Sequence, residues 1–109
     1  MGEVTIEPWK AGNAEHASAF ADLNREWVEE FFWVEPADEA MFADPQGYVV
    51  DKGGDILFAR VDGKILGTIA LLKLENGIYE LSKMGVTKTA RGLGIGRKLA
   101  EALIALARK

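Results

Sequence analysis

The residues of this chain most suited to chemistry lie in a glycine-rich stretch, residues 79–98, which reads YELSKMGVTKTARGLGIGRK. The stretch predicts a strand, a loop and a glycine-rich turn that runs directly into a helix. The first N–H groups of a helix lack intrahelical partners and carry partial positive charge, so they attract phosphate. Gly92, Gly94 and Gly96 remove the side chains that would keep a phosphate away. The pattern therefore predicts a phosphate or diphosphate site.

Three cations accompany these glycines, namely Arg91, Arg97 and Lys98. Either they add positive charge where the phosphate binds or they form an ordinary solvated face, and the sequence leaves both interpretations open. The spacing excludes two common phosphate motifs. No GxxxxGK run followed by Ser or Thr is present, and the glycines form GxGxG late in the chain, whereas a dinucleotide fingerprint needs GxGxxG after the first strand.

Composition restricts the remaining chemistry. The chain has no cysteine and one histidine, His16. A thiol nucleophile, a disulfide scaffold, a Cys-based zinc site and a multi-histidine metal site are therefore excluded, and no metal is predicted. We predict that His16 lies on a polar or intermediate face of the first helix and has a surface role.

Length and charge indicate one globular domain over residues 1–109, because 49% of the residues are apolar and 28% are charged. Thirteen Lys and Arg against seventeen Asp and Glu give a net charge of −4. Electrostatic binding of nucleic acid over the whole surface is therefore not expected, although the sequence does not exclude a local basic patch. No apolar run approaches the ~20 residues of a membrane span, and the start lacks the apolar region of a signal peptide. The predicted location is the cytoplasm.

The elements that position the glycine-rich stretch follow from the period of the apolar residues. The predicted elements form an α/β domain of the α+β type, in the order β-α-α-β-β-β-α. Its sheet is expected to be mixed, mostly antiparallel and flanked by helices. Asn13 is placed to cap the first helix, and Asp62-Gly63 and Asn76-Gly77 predict tight hairpins. Residues 65–72 are apolar on both faces, which predicts helices on both sides of that strand. The predicted strands are 4–9, 55–61, 64–73 and 78–86, and the predicted helices are 14–33, 37–43 and 94–108.

The strand end Met84-Gly85-Val86, followed by R-x-x-G-x-G at Arg91, Gly94 and Gly96, resembles the acetyl-CoA signature of the GNAT superfamily of N-acetyltransferases. The resemblance covers most of the chain and is most specific over residues 80–99, while stretches such as NREWVEEFF resemble a small bacterial subgroup. It implies acetyl-CoA as cofactor and transfer of acetyl to a primary amine of a small molecule or peptide, by direct attack in a ternary complex.

The resemblance also implies the cofactor site. Backbone groups of Met84, Gly85 and Val86 would hold the pantetheine arm as a pseudo-strand. The pyrophosphate would be wrapped by the amides of the helix start, which belong to Gly92, Leu93, Gly94, Ile95, Gly96 and Arg97. Arg91 and Lys98 complete the predicted cofactor-binding set.

Glu80 is the candidate general base. It lies six residues before Val86, strand alternation places it on the same face as Met84 and Val86, and many members of the resembling family have a carboxylate there. The alternative is a solvated or salt-bridged strand residue. No general acid is assigned, because neither tyrosine matches the family position.

The first helix supplies candidate acceptor-binding residues. Trp27 and Phe31, with Phe32 and Trp33, are either core residues or walls of an acceptor pocket. The acidic residues around the end of this helix form either a solvated face or a rim that attracts a cationic amine; they are Glu29, Glu30, Glu35, Asp38 and Glu39.

The resembling family continues past the last predicted helix with further strands and a helix. The resemblance therefore implies a domain that is incomplete at its carboxy-terminal end, as a fragment, a natural truncation or a half-domain completed by another subunit. An unpaired edge at strand 78–86 predicts self-association, for example as a homodimer. The alternatives to an enzyme are a non-catalytic acyl-CoA-binding or regulatory module and an inactive fragment.

Overall fold

The computed structural model describes residues 3–31, 36–74 and 77–108. The predicted α+β class and element order are confirmed, and a π-helical turn over Gln46–Val50 and a 3-10 turn over Lys88–Ala90 are additions to it. The strands are β1 (Val4–Pro8), β2 (Asp55–Val61), β3 (Lys64–Lys73) and β4 (Tyr79–Val86), and the helices are α1 (Ala14–Phe31), α2 (Pro36–Ala43) and α3 (Ile95–Ala107).

The four strands form one sheet in the order β1-β2-β3-β4, and all three pairings are antiparallel. The β2–β3 hairpin turns at Asp62 and Gly63, whose φ values of 51° and 82° are those of a type I′ turn. The predicted hairpin at Asp62-Gly63 is therefore confirmed. In the second predicted hairpin, Asn76 lies outside the described residues, and the Gly77 N–H donates to the Leu74 carbonyl at 3.0 Å.

Strand β3 is buried between two apolar cores, as its continuous apolar run predicts. On one face, Ile69 packs with Leu99 and Leu103 of α3. On the other face, Ala70 packs with Phe20 of α1 and with apolar residues of the segment between α1 and β2. Within the three described stretches, no helix combines the length and the apolar run that crossing a membrane would require.

Strand β4 contains a β-bulge. Thr68 of β3 opposes Gly85, and Ala70 opposes Ser82, so Lys83 and Met84 together oppose the single residue between them. Lys83 has a φ of 52°, a left-handed conformation that is uncommon for a side chain of this kind. A bulge interrupts the strict alternation of side chains between the two faces of a strand.

The start of α1 shows why the surface role predicted for His16 is wrong. Asn13 Oδ1 accepts the His16 N–H at 2.9 Å, which confirms Asn13 as the helix cap. His16 is only 3% exposed, and its ring stacks on Phe58 at a centroid distance of 4.3 Å. Its Nδ1 accepts the Lys10 N–H at 3.0 Å, so in the neutral ring Nε2 carries the proton that points at Glu7, 2.7 Å away. Contacts from β1 and β2 therefore bury the imidazole.

Glu7 joins His16 to a small ionic network at this end of the sheet. Arg60 Nε and Nη2 donate to the two Glu7 carboxylate oxygens at 2.7 and 2.9 Å, and Arg60 also contacts Glu15 at 2.7 and 3.1 Å. The hydrogen bonds from Arg60 lower the pKa of Glu7 to about 2, against the raising effect of its burial. The network thus ties β1, α1 and β2 together.

Candidate functional site

The start of α3 forms an open cradle of main-chain donors. The helix begins after Gly94, which has a φ of 80° and provides no side-chain cap. The first helical N–H with an intrahelical partner is that of Lys98, which donates to the Gly94 carbonyl at 3.1 Å. The preceding amides, those of Ile95, Gly96 and Arg97, have no carbonyl one turn back within the helix. They are suited to an anion in front of the helix.

Two of the glycines leave the space before these amides open. Gly92 and Gly94 have φ values of 87° and 80°, which glycine adopts without strain, and a Cβ on either would meet nothing within 4 Å. Gly96 differs, because a Cβ there would lie 3.4 Å from Met84 Sδ. It lets the first turn of α3 pack close to β4. These positions fit a phosphate group approached by backbone alone.

The side chains of the predicted cofactor-binding set point in different directions. Ile95 is buried in the core between α3 and the sheet, so only its main chain is available to a ligand. Leu93 and Lys98 are exposed. Arg97 is exposed and pairs with Glu101 at 3.0 Å. The donors that the structure brings together here are thus mainly backbone groups.

The end of β4 presents backbone groups to the outer edge of the described sheet. The Thr87 N–H donates to the Leu66 carbonyl of β3 at 2.9 Å. Because successive residues of an antiparallel strand direct their hydrogen-bonding groups to opposite sides, those of Val86 point away from β3. The Val86 carbonyl accepts Arg91 Nε at 2.9 Å. Its N–H faces an edge that has no strand partner among the described strands.

Arg91 is held against the protein. Besides the bond to Val86, its Nη2 lies 3.8 Å from Glu26 Oε1 of α1, and three quarters of the side chain is buried. These contacts favour a role in holding the loop over the predicted one of adding positive charge where the phosphate binds. The sequence could not show this, because Glu26 lies 65 positions away.

Gly85, also in the predicted set, is a packing position under α1. A Cβ there would lie 2.7 Å from the Leu23 carbonyl oxygen and 3.3 Å from the Asn24 nitrogen. The backbone of α1 therefore approaches β4 as closely as a glycine permits. Asn24, which is not among the predicted site residues, is buried at this contact, and its side-chain amide donates to the Phe20 carbonyl at 2.9 Å.

Glu80 lies on the opposite face of β4 from the one predicted. It opposes Leu72, on the α1 side of the sheet, whereas Val86 opposes Gly67 on the α3 side. Met84 also contacts α3, through Gly96. The predicted alternation was wrong because the bulge inserts one residue between Glu80 and Val86. Glu80 is exposed, and its role as a base stays a prediction.

The predicted acceptor-binding residues are only partly described. Trp27, Glu30 and Phe31 lie in α1, but their side chains are outside the described structure, as are the side chain of Asp38 and the whole of residues 32–35. Of the other acidic residues, Glu29 is exposed, and Glu39 pairs with Arg25 at 2.7 Å. The acceptor site therefore stays a prediction.

Fold and site together define an α+β domain in which a strand edge leads to an open cradle of main-chain donors at a helix start. The model of the acetyltransferase (GNAT) family matches residues 16–109, and the chain belongs to this family. No curated protein matches the chain closely enough to count as a relative.

Solved structures share the fold. A GNAT-family acetyltransferase from Staphylococcus aureus Mu50 is 24% identical over 94% of this chain, with a TM-score of 0.79. An acetyltransferase from Streptococcus agalactiae 2603 is 25% identical over 96% of the chain, with a TM-score of 0.78. One from Clostridium acetobutylicum, solved with acetyl-CoA, is 14% identical over 97% of the chain, with a TM-score of 0.71. The chain spans 64%, 66% and 74% of these proteins, respectively.

Proposed function

We propose that residues 1–109 belong to a single acetyl-CoA-dependent N-acetyltransferase domain, of which they lack the carboxy-terminal part, and that this domain transfers acetyl to a primary amine. The observation that carries this proposal is the start of α3, where Gly92 and Gly94 leave open space before the first helical amides, which have no carbonyl one turn back within the helix. Membership of the acetyltransferase family supports it, as does the presence of acetyl-CoA in the relative from Clostridium acetobutylicum. A cytoplasmic location is part of the proposal.

The proposed cofactor contacts are made by the backbone. The amides of residues 92–97 donate to the pyrophosphate, which the partial positive charge of the helix start also favours. The outward N–H of Val86, with backbone groups of Met84, pairs with the pantetheine arm as a strand would. The thioester of acetyl-CoA, when bound, supplies the activated acetyl group.

The proposed reaction needs little from side chains beyond positioning, removal of a proton from the amine and donors for the carbonyl oxygen. Glu80 accepts the amine proton, directly or through a water molecule. Its place on the α1 side of β4 suits an acceptor that arrives from α1. The chain contains no cysteine, so we propose direct attack in a ternary complex and no thiol-linked intermediate.

The proposed acceptor is a small-molecule or peptide amine that binds beside α1. Trp27 and Phe31 would form apolar walls, and Glu30 would attract the cationic amine before it is deprotonated. Charge of this sign near a site raises the local concentration of a cationic substrate.

The function is tested by titrating the chain with acetyl-CoA in a calorimeter and then measuring release of free CoA with a panel of amines. Binding with amine-dependent release supports an acetyltransferase. Binding without release for any amine favours a non-catalytic acyl-CoA-binding module. Absence of binding at millimolar acetyl-CoA refutes the proposal.

The role of Glu80 is tested by Glu80→Gln. We expect acetyl-CoA affinity to be retained and turnover to fall at least tenfold, because the amide cannot accept the proton. Asp55→Asn is the matched control, since Asp55 is an exposed carboxylate on the same sheet. Turnover of Glu80→Gln equal to that of the control removes Glu80 from the mechanism.

We also propose that the chain self-associates through the first half of β4. Ile78, just before β4, and Tyr79 and Leu81 within it are 54%, 46% and 45% exposed, at an edge without a partner among the described strands. Exposed apolar edges favour pairing with another copy. Leu81→Lys should lower the sedimentation coefficient at high concentration, whereas Leu74→Lys, at a similarly exposed turn position, should not. A stable wild-type monomer at high concentration would refute the proposal.

A further inference from the structure

Glu26 lies on α1, far in sequence from the glycine-rich stretch, yet its carboxylate holds the loop that leads into it. Glu26 Oε1 accepts the Lys88 N–H at 2.6 Å. The Thr87 hydroxyl donates toward both carboxylate oxygens at 3.4 and 3.3 Å. Arg91 Nη2 lies 3.8 Å from Glu26 Oε1. One carboxylate of α1 therefore contacts three residues of the loop between β4 and α3.

The carboxylate takes the place of a missing local cap. Thr87 precedes the 3-10 turn Lys88–Ala90 and is well placed to cap it, but its side chain makes no capping bond. Glu26 supplies the acceptor for the first N–H of that turn, where a negative charge is favoured. Hydrogen bonds to an ionised carboxylate are shorter and stronger than neutral ones.

The rest of the loop is fixed at two further points. Ala90 is buried in the core beneath α3, and Arg91 Nε is bonded to the Val86 carbonyl. Gly92 and Gly94 follow directly and bring no side-chain contacts of their own. The path of the backbone into the cradle therefore depends on Glu26, Ala90 and Arg91.

We propose that Glu26 is a positioning residue for cofactor binding. By holding residues 87–91 against α1, it keeps the amides of residues 92–97 arranged for the two phosphates before the ligand arrives. A preorganised site loses less conformational freedom on binding and so binds more tightly. This inference rests on the proposed function, because it assumes that the cradle receives the pyrophosphate of CoA.

The test compares Glu26→Ala and Glu26→Gln with Asp22→Asn, an exposed carboxylate one turn earlier on α1. Calorimetry with CoA, and separately with inorganic pyrophosphate, gives the dissociation constants at a temperature where each variant is folded. We expect Glu26→Ala to bind CoA at least tenfold more weakly than wild type, Glu26→Gln to be intermediate, and the control to be unchanged. Amide exchange of Lys88 in the free protein should quicken in the same order.

A purely structural role would lower the melting temperature of the Glu26 variants and leave the affinity of the folded protein unchanged. CoA binding by Glu26→Ala within twofold of wild type would therefore overturn the inference, and the proposed function would stand. If Glu26→Ala does not fold, wild-type affinity in Glu26→Gln, together with unchanged Lys88 exchange, is the contradicting result. If wild type itself does not bind CoA, the proposed function and this inference fail together.

Discussion

Replacing Gly94 with alanine tests the cradle directly, because Gly63 provides a matched control. The comparison separates the strain that a left-handed backbone imposes on alanine from any effect on ligand binding. Gly94 has a φ of 80°, and Gly63, in the β2–β3 hairpin, has a φ of 82°. A Cβ at either position would meet nothing within 4 Å. Both substitutions therefore impose similar backbone strain without a clash, and only Gly94 lies in front of α3.

The expected loss of stability follows from that strain. A left-handed backbone costs a non-glycine residue about 1–2 kcal/mol. Unfolding entropy of about 2.1 cal/mol/K per residue, over 109 residues, converts each kcal/mol into a shift of about 4 °C. Gly94→Ala and Gly63→Ala should thus each lower the melting temperature by about 4–9 °C.

The expected effect on binding differs between the two variants. In the proposed cradle, a methyl group at Gly94 would occupy part of the open space through which a phosphate oxygen approaches a helical amide to about 2.9 Å. Gly94→Ala should weaken acetyl-CoA binding at least tenfold, or by about 1.4 kcal/mol, and Gly63→Ala should bind as wild type does. Melting without ligand and calorimetry with acetyl-CoA measure the two effects. Equal affinity in both variants would refute the assignment of the cradle.

Two further predictions concern stability. Gly85→Ala places a Cβ 2.7 Å from the Leu23 carbonyl oxygen, so the free energy of unfolding in urea should fall by roughly 2 kcal/mol; wild-type stability would contradict the close packing of α1 on β4. Arg60 lowers the pKa of Glu7 from 4.5 to about 2, so the ionised pair contributes stability that is fully present above pH 4.5 and is lost as the pH falls toward 2. Glu7→Gln should therefore lower the free energy of unfolding by roughly 2 kcal/mol at pH 7. It should also reduce the loss of that free energy between about pH 5 and pH 2. A variant that loses as much stability as wild type over this pH range would exclude this account.

Features with a local signal could be predicted from the sequence. Asp62-Gly63 predicts its turn because both residues tolerate positive φ, and Asn13 predicts its cap because its side chain reaches the N–H three residues on. The two-sided burial of β3 follows from apolar residues at successive positions. The helix start at Gly94 was located by the glycines themselves.

Features that depend on distant contacts could not be predicted. The bulge rests on a left-handed Lys83, a residue type that carries no signal for that conformation. The burial of His16 depends on Phe58, 42 positions away, and on Glu7. Glu26 meets the loop across 62 positions. In each case tertiary packing decided the outcome, and one sequence contains no pattern that reports it.

Because of the bulge at Lys83 and Met84, the two halves of β4 present the side chains of Glu80 and Val86 to opposite faces of the sheet. Before the bulge, Glu80 faces the helix that carries the predicted acceptor residues; after it, Val86 faces the helix that forms the cradle. The proposed proton acceptor and the proposed ligand-pairing residue thus share a single short strand, with their side chains on opposite faces of the sheet. Removal of one residue at this point would restore regular pleating and bring the side chains of Glu80 and Val86 to the same side of the sheet.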